Sequence, residues 1–309
     1  MPQGSTRVSR PLTNVSIQYR NNETIYNKFM PELPVSKESD QYWIYNKDFR
    51  LSDTTRANGA EANMVTHEYS TSSYSTVEHA LKDVITDTDR ANTDAPLNLD
   101  VDATEFLSDQ ILQRTEFETA KLLFTTTTYS NNATLNTATA WIRNTTTSAP
   151  IQNVLSATNV IIKTSGMRPN TVILGKDSTD ALKENQNVHE RIKYVEKSIV
   201  TEDLLASLFE VDNVYTGTMV RDTSQEGLAS TISFIWGSDA LVAYFAPRAG
   251  IRTKSAAMMF RQSSKGQPMR VKKWRNEDVE GDMIEVQTKF IPKAVATNCA
   301  YLFKTVTII

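Results

Sequence analysis

Three histidines and one cysteine are the residues of this chain best suited to bind a metal or to act as nucleophiles. The histidines, His67, His79 and His189, are all farther apart in sequence than the three to five residues typical of paired metal ligands. The single cysteine, Cys299, excludes an internal disulfide and lies in an apolar segment, which indicates a small core residue. We therefore predict surface or core roles for these side chains and no metal site.

A segment similar to a phosphate-binding loop runs from Leu174 to Ser178, with the sequence LGKDS. It lacks the earlier glycine and the four-residue gap that allow backbone amides to surround a phosphate. A turn followed by Asp177 or Ser178 as helix N-cap accounts for the segment. The chain also lacks the Gly-x-Ser-x-Gly and Gly-x-Gly-x-x-Gly motifs. We predict that the protein is not an enzyme and needs no cofactor.

Charge is unevenly distributed near the C-terminus, although the whole chain carries a net charge of only −3. Residues 248–275 contain nine basic residues and no acidic one, and five acidic residues follow between 277 and 285. Such a block fits a nucleic-acid patch, a solvated face or an ionic contact between copies of the chain. We favour the last, because aromatic residues for base stacking are sparse here. The predicted interface residues are Arg261, Arg270, Lys272, Lys273 and Arg275.

Residues 41–80 have the pattern of a long β-hairpin. Two segments rich in aromatic residues, Thr and Val (42–49 and 64–77) flank a polar stretch in which Asn58-Gly59 is the turn signal. An isolated two-stranded hairpin is marginally stable in water, so this one needs a neighbour. We predict that it packs on an adjacent copy of the chain through Tyr42, Trp43, Tyr45, Phe49, Arg56, Tyr69 and Tyr74.

Helical and strand patterns then alternate along the chain and predict an α+β fold. Apolar spacing predicts a long helix over 98–124, whose six acidic residues form an acidic face that we expect to point toward DNA without binding it. Pro150 and Gly166 bound a second helix. Further helices are predicted at 178–194 and 201–209, and strands at 171–174, 211–220, 232–236, 241–245, 286–290 and 295–306.

The first 40 residues show no sustained period and contain Pro31 and Pro34, which exclude a continuous helix. Isolated apolar residues predict an extended arm that lies on another surface. Residues 1–11 lack the apolar core of a signal peptide, and no apolar run approaches the roughly 20 residues that span a bilayer. We expect a protein made in a cytoplasm, with no membrane partner.

The order of these parts resembles that of the Hong Kong 97-like phage capsid proteins: an arm, a long hairpin, a long helix, a helix–sheet unit and a returning C-terminal strand. Local sequence is also similar, at PVSK (34–37), YWIYN (42–46), GMRPNTVIL (166–174), RIKY (191–194), WG (236–237) and AY (243–244). The resemblance implies an N-terminal arm (1–40), an extended loop (41–80), a peripheral domain with the long "spine" helix (81–165, rejoined at 246–285) and an axial domain (166–245 with 286–309).

The resemblance implies a major capsid protein that assembles with itself into pentamers and hexamers around packaged dsDNA, which it contacts loosely and without sequence specificity. Its location is the virion, after assembly in the host cytoplasm. No cleavable scaffolding segment precedes the arm, so we expect a separate scaffolding protein, with a portal and room for a decoration protein. The hairpin tip, Thr54 to Glu61, has no lysine, so we expect no Lys–Asn crosslink between subunits.

Three alternatives remain at the level of sequence. An encapsulin, the shell of a bacterial enzyme compartment, shares the architecture, but the long 41–80 segment favours a phage capsid. A hydrolase with an unfamiliar active site is disfavoured because no catalytic set is present. A surface-layer or adhesin module is disfavoured because a secretion signal and disulfides are both missing.

Overall fold

The computed structural model describes residues 7–8, 24–45, 49, 51–66, 69–93, 98–136, 139–141, 148–193, 200–225, 227–250, 253–263 and 268–307. Seven α-helices lie within these residues: α1 (Tyr26–Phe29), α2 (Asp87–Asn92), α3 (Leu99–Leu123), α4 (Pro150–Ser165), α5 (Lys176–Glu184), α6 (Gln186–Ile192) and α7 (Glu202–Phe209). In this part of the chain no helix is both long and apolar enough to cross a bilayer.

Fifteen strands accompany these helices in the described residues. They are β1 (Arg7–Val8), β2 (Glu32–Val35), β3 (Ser39–Tyr45), β4 (Tyr69–Ser75), β5 (Val77–Thr86), β6 (Asn132–Thr134), β7 (Thr171–Gly175), β8 (Asn213–Gly217), β9 (Val220–Asp222), β10 (Ile232–Phe234), β11 (Ala240–Ala243), β12 (Ala257–Gln262), β13 (Arg270–Asn276), β14 (Gly281–Ala294) and β15 (Ala300–Lys304). The predicted α+β class is confirmed.

The larger sheet is built around β14, the longest strand. One edge of β14 pairs with β13 and then with β12, while β5 pairs along the other edge. Strands β1 and β2 extend the sheet beyond β13 and β12. Helix α3 packs on this sheet, where Leu107 and Ile111 meet Ile284 and Val286. The strand β5 was not predicted, because most of its residues are exposed and the segment shows no alternation of apolar and polar residues.

Helix α3 confirms the predicted long helix, and local signals explain its start. The side chain of Asn98 accepts a hydrogen bond from the Val101 amide, and Asp100 and Asp102 lie in the first turn, where the helix dipole favours negative charge. Helix α4 is also confirmed: Pro150 occupies its first position, and Gly166 ends it with a left-handed φ of 69°.

The second sheet has five strands in the order β6-β15-β11-β7-β8. Helices α4, α5, α6 and α7 pack against it through a core that includes Ile161, Leu182, Phe209 and Val242. A further core cluster joins the two sheets, because it contains Ile173 and Leu241 from this sheet and Met259 and Phe290 from the larger one. The two sheets therefore share this core cluster.

Two predicted elements are divided in the structure. The predicted helix 178–194 forms α5 and α6, separated by Asn185, whose buried side chain caps α6 at the Asn187 amide and donates to Ser148; residue 194 lies outside the described residues. The predicted strand 211–220 forms β8 and β9. Strand β8 ends at Gly217, where a Cβ atom would lie 2.1 Å from the indole of Trp236, so only glycine fits.

The turn after Leu174 also differs from the prediction. Helix α5 begins at Lys176 directly after β7, so its N-cap is Gly175, and neither Asp177 nor Ser178 has that role. Gly175 still belongs to the strand and pairs with Gly217. A Cβ atom there would lie 1.8 Å from the Gly237 carbonyl oxygen, which explains the glycine by packing and not by phosphate binding.

Several predicted domain boundaries cross elements of the structure. The boundary at 286 falls inside β14, all of which belongs to the larger sheet. Strand β6 and helix α4, which were assigned to the peripheral segment 81–165, join the five-stranded sheet and its core. Residues 24–35 of the predicted arm are integrated in the chain's own core and sheet, with Tyr26 and Phe29 buried, so this segment does not rely on another surface for packing.

Candidate subunit interface

The base of the β3–β4 hairpin is anchored within the chain by aromatic stacking. The ring of Tyr74 stacks on Phe260 at 4.7 Å, and the ring of Tyr42 lies 5.3 Å from the same phenylalanine. Met258 completes this small buried cluster. Within the subunit, Tyr42 and Tyr74 pack against their own chain, and a contact of either with an adjacent copy stays a prediction.

The distal part of the hairpin presents its aromatic side chains to solvent. Trp43 and Tyr69 pack edge to face at 4.7 Å across the two strands, yet they remain 47% and 58% exposed. Phe49 is 58% exposed. The side chain of Tyr45 lies outside the described residues. The sequence did not separate the aromatic residues at the base of the hairpin from those at its far end.

Residues 51–66 form the hairpin tip, in which every residue is exposed. Gly59, with φ at 82°, lies in the predicted turn, and the Ala60 amide donates to the Ala57 carbonyl. Arg56 is exposed and donates through Nε to the Ala60 carbonyl. The prediction from sequence did not include three exposed apolar residues of this segment: Leu51, Met64 and Val65. Each stands out as apolar in an otherwise polar segment.

An apolar groove of about 570 Å³ lies beneath the hairpin. Trp43 and Phe49 line its outer side, and Met258, Phe260 and Val295 line its floor. The exposed aromatic residues of the hairpin therefore continue into a concave apolar surface. Such a combination marks a protein contact more often than it marks plain solvation.

Four of the predicted interface residues in the basic block form ion pairs within the chain, and their role in contacts between copies stays a prediction. Strands β13 and β14 are antiparallel neighbours, so Lys272 lies opposite Glu285 and their charged atoms are 2.7 Å apart. Lys273 pairs with Asp100 at 2.7 Å and with Asp282 at 3.3 Å. The acidic segment that follows the basic block in sequence thus folds back to neutralise it.

Two of the three remaining predicted interface residues of the block, Arg275 and Arg261, also form ion pairs within the chain. Arg275 pairs with Asp87 at 2.6 Å, and this hydrogen bond lowers the pKa of the Asp87 carboxyl. Arg261 is 5% exposed and binds Glu32 at 2.9 Å, which attaches β2 to the sheet. Arg270 is half-buried, and its Nε atom has no hydrogen-bond partner among the described residues.

Two of the six acidic residues predicted to form a face on α3 bind other parts of the chain. Asp100 binds both Lys273 and Arg90; although burial raises the pKa of its carboxyl, these two hydrogen bonds outweigh that effect and lower it. Glu116 is fully buried and accepts hydrogen bonds from the Ile25 and Tyr26 amides. The helix therefore does not present the uniformly acidic surface that we expected to face DNA.

The candidate metal and nucleophile residues do not converge. His79 stacks on Phe290, and burial together with nearby Arg114 lowers the pKa of its imidazole. His189 is exposed, and His67 lies outside the described residues. Cys299 is buried in the core, as predicted. Among the described residues, no group of three or more His, Cys, Asp or Glu side chains is arranged to hold a metal ion.

Comparison with known proteins identifies the family to which the chain belongs. Residues 124–305, more than half of the chain, match the family model described as phage major capsid protein E. The chain belongs to this family. A curated relative, the major capsid protein of Burkholderia phage BcepMu, is 28% identical over 297 residues and spans 94% of both chains. The protein is thus a major capsid protein, a structural subunit of a phage head.

Solved structures show the Hong Kong 97-like fold for this capsid protein. A phage-related protein from Bordetella bronchiseptica aligns over 99% of both chains with a TM-score of 0.78 and 23% identity. The capsid of cyanophage P-SCSP1u aligns over 98% of this chain and 92% of that chain, with a TM-score of 0.59 and 12% identity.

The fold is also shared by an encapsulin, the alternative considered from the sequence. The encapsulin of Synechococcus elongatus aligns over 100% of this chain and 94% of that chain at 10% identity, with a TM-score of 0.52. The family model and the curated relative favour the phage capsid over the enzyme compartment. Membership of a structural family also supports the prediction that the protein is not an enzyme.

Proposed function

We propose that this capsid protein assembles into pentamers and hexamers that form an icosahedral head around packaged dsDNA, and that the distal hairpin is a main contact between adjacent copies. The observation that carries the proposal is the hairpin tip, residues 51–66, which is exposed throughout and yet bears apolar side chains. Leu51 and Met64 are 100% and 94% exposed. Apolar side chains that stay in contact with water contribute no hydrophobic stabilisation to an isolated subunit.

The energetics favour ordering of the tip on a partner. Fixing the backbone costs roughly 1–2 kcal/mol per residue, and the tip has no core of its own to offset this. Burial of each large apolar side chain against a partner contributes about 1.5–3 kcal/mol. Trp43, Phe49 and Tyr69 extend the apolar surface from the tip toward the groove.

The partner we propose is a second copy of the chain. The tip of one copy and the surface of the next differ from each other, so the contact is heterologous, and heterologous contacts close into rings when the rotation between subunits permits. Pentamers and hexamers are rings of this kind. The hairpin tip would then be the segment that sets the neighbour's position.

We also propose the further partners of a phage head: a separate scaffolding protein, a portal and, where one is used, a decoration protein. In this proposal the protein assembles in the host cytoplasm and ends in the virion. Contact with DNA is loose and without sequence specificity in this proposal. The net charge is near neutral, and Lys272, Lys273 and Arg275 are already paired with carboxylates of the same chain, which disfavours tight phosphate binding by these residues.

The test replaces Leu51 and Met64 by serine and examines the expressed protein by negative-stain electron microscopy. We expect the wild type to form closed shells and the double variant to remain folded and soluble without closing shells. Leu228→Ser is the matched control, because Leu228 is also strongly exposed on another loop. Normal shells from the double variant would contradict the proposal, as would an equal loss of shells in the control.

A further inference from the structure

Glu116 is a fully buried carboxyl group in the middle of α3 that contacts two other parts of the chain. One oxygen accepts hydrogen bonds from the Trp236 indole at 2.6 Å and from the Ile25 amide at 3.3 Å. The other oxygen accepts from the Tyr26 amide at 3.2 Å. A single side chain thus joins the long helix, the segment before β11 and residues 24–30, which we call the docked arm.

The docked arm is held mainly by tertiary contacts, because its apolar side chains are buried in the core. Its only helix, α1, spans four residues, too few to be stable alone. Phe29 packs against Trp236 and Phe245 at centroid distances of 6.1 and 4.9 Å. The Glu116 carboxyl is the polar attachment beneath this apolar contact, and the arm covers it from solvent.

Two opposing effects act on the protonation of Glu116. Burial, the larger effect, favours the neutral acid and raises the pKa of Glu116 to about 7; the three hydrogen bonds and the charge of Lys28 oppose it. Tyr26 faces the carboxyl from the arm, with Arg261 and Glu32 behind it in the sheet. Trp236 contributes a neutral donor from the third side.

We propose that the Glu116 carboxyl is a protonation-controlled latch that determines how firmly residues 24–30 stay docked on helix α3. The latch is a property of the folded subunit and does not depend on the proposed shell contacts. Docking of the arm and burial of the Glu116 carboxyl are coupled by their geometry. The arm cannot leave without exposing the carboxyl to water, and the carboxyl cannot be exposed while the arm is docked.

The direction of the pH dependence follows from proton linkage. When the arm leaves, water reaches Glu116 and its pKa returns toward the ordinary value of 4.5. The docked arm therefore keeps a proton that the released arm gives up. Docking is strongest below pH 4.5, weakens about tenfold per pH unit as the pH rises toward 7, and changes little above that.

Hydrogen exchange on the full-length, unassembled subunit between pH 5 and 8 tests the latch, with rates corrected for the intrinsic pH dependence of exchange. The informative amide is that of Met30, which donates to the Tyr26 carbonyl in the docked arm. Helix α4 is the internal reference. We expect arm protection in the wild type to fall by about fortyfold from pH 5 to 7 and then to level off.

Two variants make the test specific. Glu116→Gln removes the titration but turns an NH2 group toward one of the three N–H donors, so its arm protection should be lower and independent of pH. Lys28→Met removes an exposed charge that lowers the pKa of Glu116, so the fall in protection should extend to higher pH. If Glu116→Gln fails to fold, the comparison of wild type with Lys28→Met decides. Arm protection that is flat or rises with pH in the wild type, or an unchanged profile in Lys28→Met, overturns the proposal.

Discussion

The side-chain nitrogen of Lys273 lies 2.7 Å from a carboxylate oxygen of Asp100, which ties strand β13 to the first turn of helix α3. Asp100 also receives Arg90, and Lys273 also reaches Asp282. All four side chains are partly shielded from water, so their interaction is less screened than that of a fully exposed pair. This network holds the long helix on the larger sheet.

Reversing the charges of Lys272 and Lys273 to glutamate should therefore destabilise the subunit itself. The exchange breaks three ion pairs and places like charges beside Asp100, Asp282 and Glu285, at a cost of roughly 1–3 kcal/mol. Urea unfolding of the soluble subunit measures the effect. Arg248→Glu is the control, because Arg248 belongs to the same basic block, is exposed and has no ion pair among the described residues. An unfolding midpoint equal to that of the wild type would show that these lysines act elsewhere.

The basic block and the acidic segment after it show what could not be predicted from the sequence. The sequence reveals a basic segment followed by an acidic one, but not that a three-residue 3₁₀ turn, Glu277–Val279, reverses the chain between them. That reversal pairs the two segments as β13 and β14. Glu116 illustrates the same limit, because its partners Ile25 and Trp236 are 91 and 120 residues away in sequence. Helices α3 and α4 were predictable because their caps and apolar spacing are local.

Two tyrosines of strand β4 should respond differently to truncation. Tyr74→Ala removes a buried ring from its stack on Phe260 and should lower the free energy of unfolding by about 3 kcal/mol. Tyr69→Ala alters an exposed ring and should cost the subunit much less, while impairing shell closure. Thermal unfolding and electron microscopy of both variants separate the effects. Equal destabilisation by the two substitutions would disprove the division of the hairpin into an anchored base and a free end.

Gly217 should not tolerate a side chain. An added Cβ atom would lie 2.1 Å from the Trp236 indole, and that indole is itself held by Glu116. Gly217→Ala should therefore destabilise the subunit by about 1–3 kcal/mol through overpacking. Gly227→Ala is a useful comparison: space is open around Gly227, so its cost comes only from the positive φ of 88°. Trp236 fluorescence should change in the first variant and not in the second.

The last prediction concerns the hairpin tip before and after assembly. Residues 51–66 have no buried side chain in the subunit, so their amides should exchange rapidly with solvent. In the shell, burial of Leu51, Met64 and Val65 against a neighbour should slow that exchange, whereas strand β14 should be protected in both states. Hydrogen exchange followed by mass spectrometry on subunit and particle measures both.

Deletion of residues 54–61 supplies the complementary test of the tip. The deletion removes the turn at Asn58 and Gly59 but leaves the anchored base at Tyr42 and Tyr74 intact, so the subunit should fold with nearly unchanged stability. Shell closure should fail, because the contact that orders the tip is gone. Normal particles from this deletion, or a tip already protected in the free subunit, would mean that the hairpin tip is not the element that joins neighbouring copies.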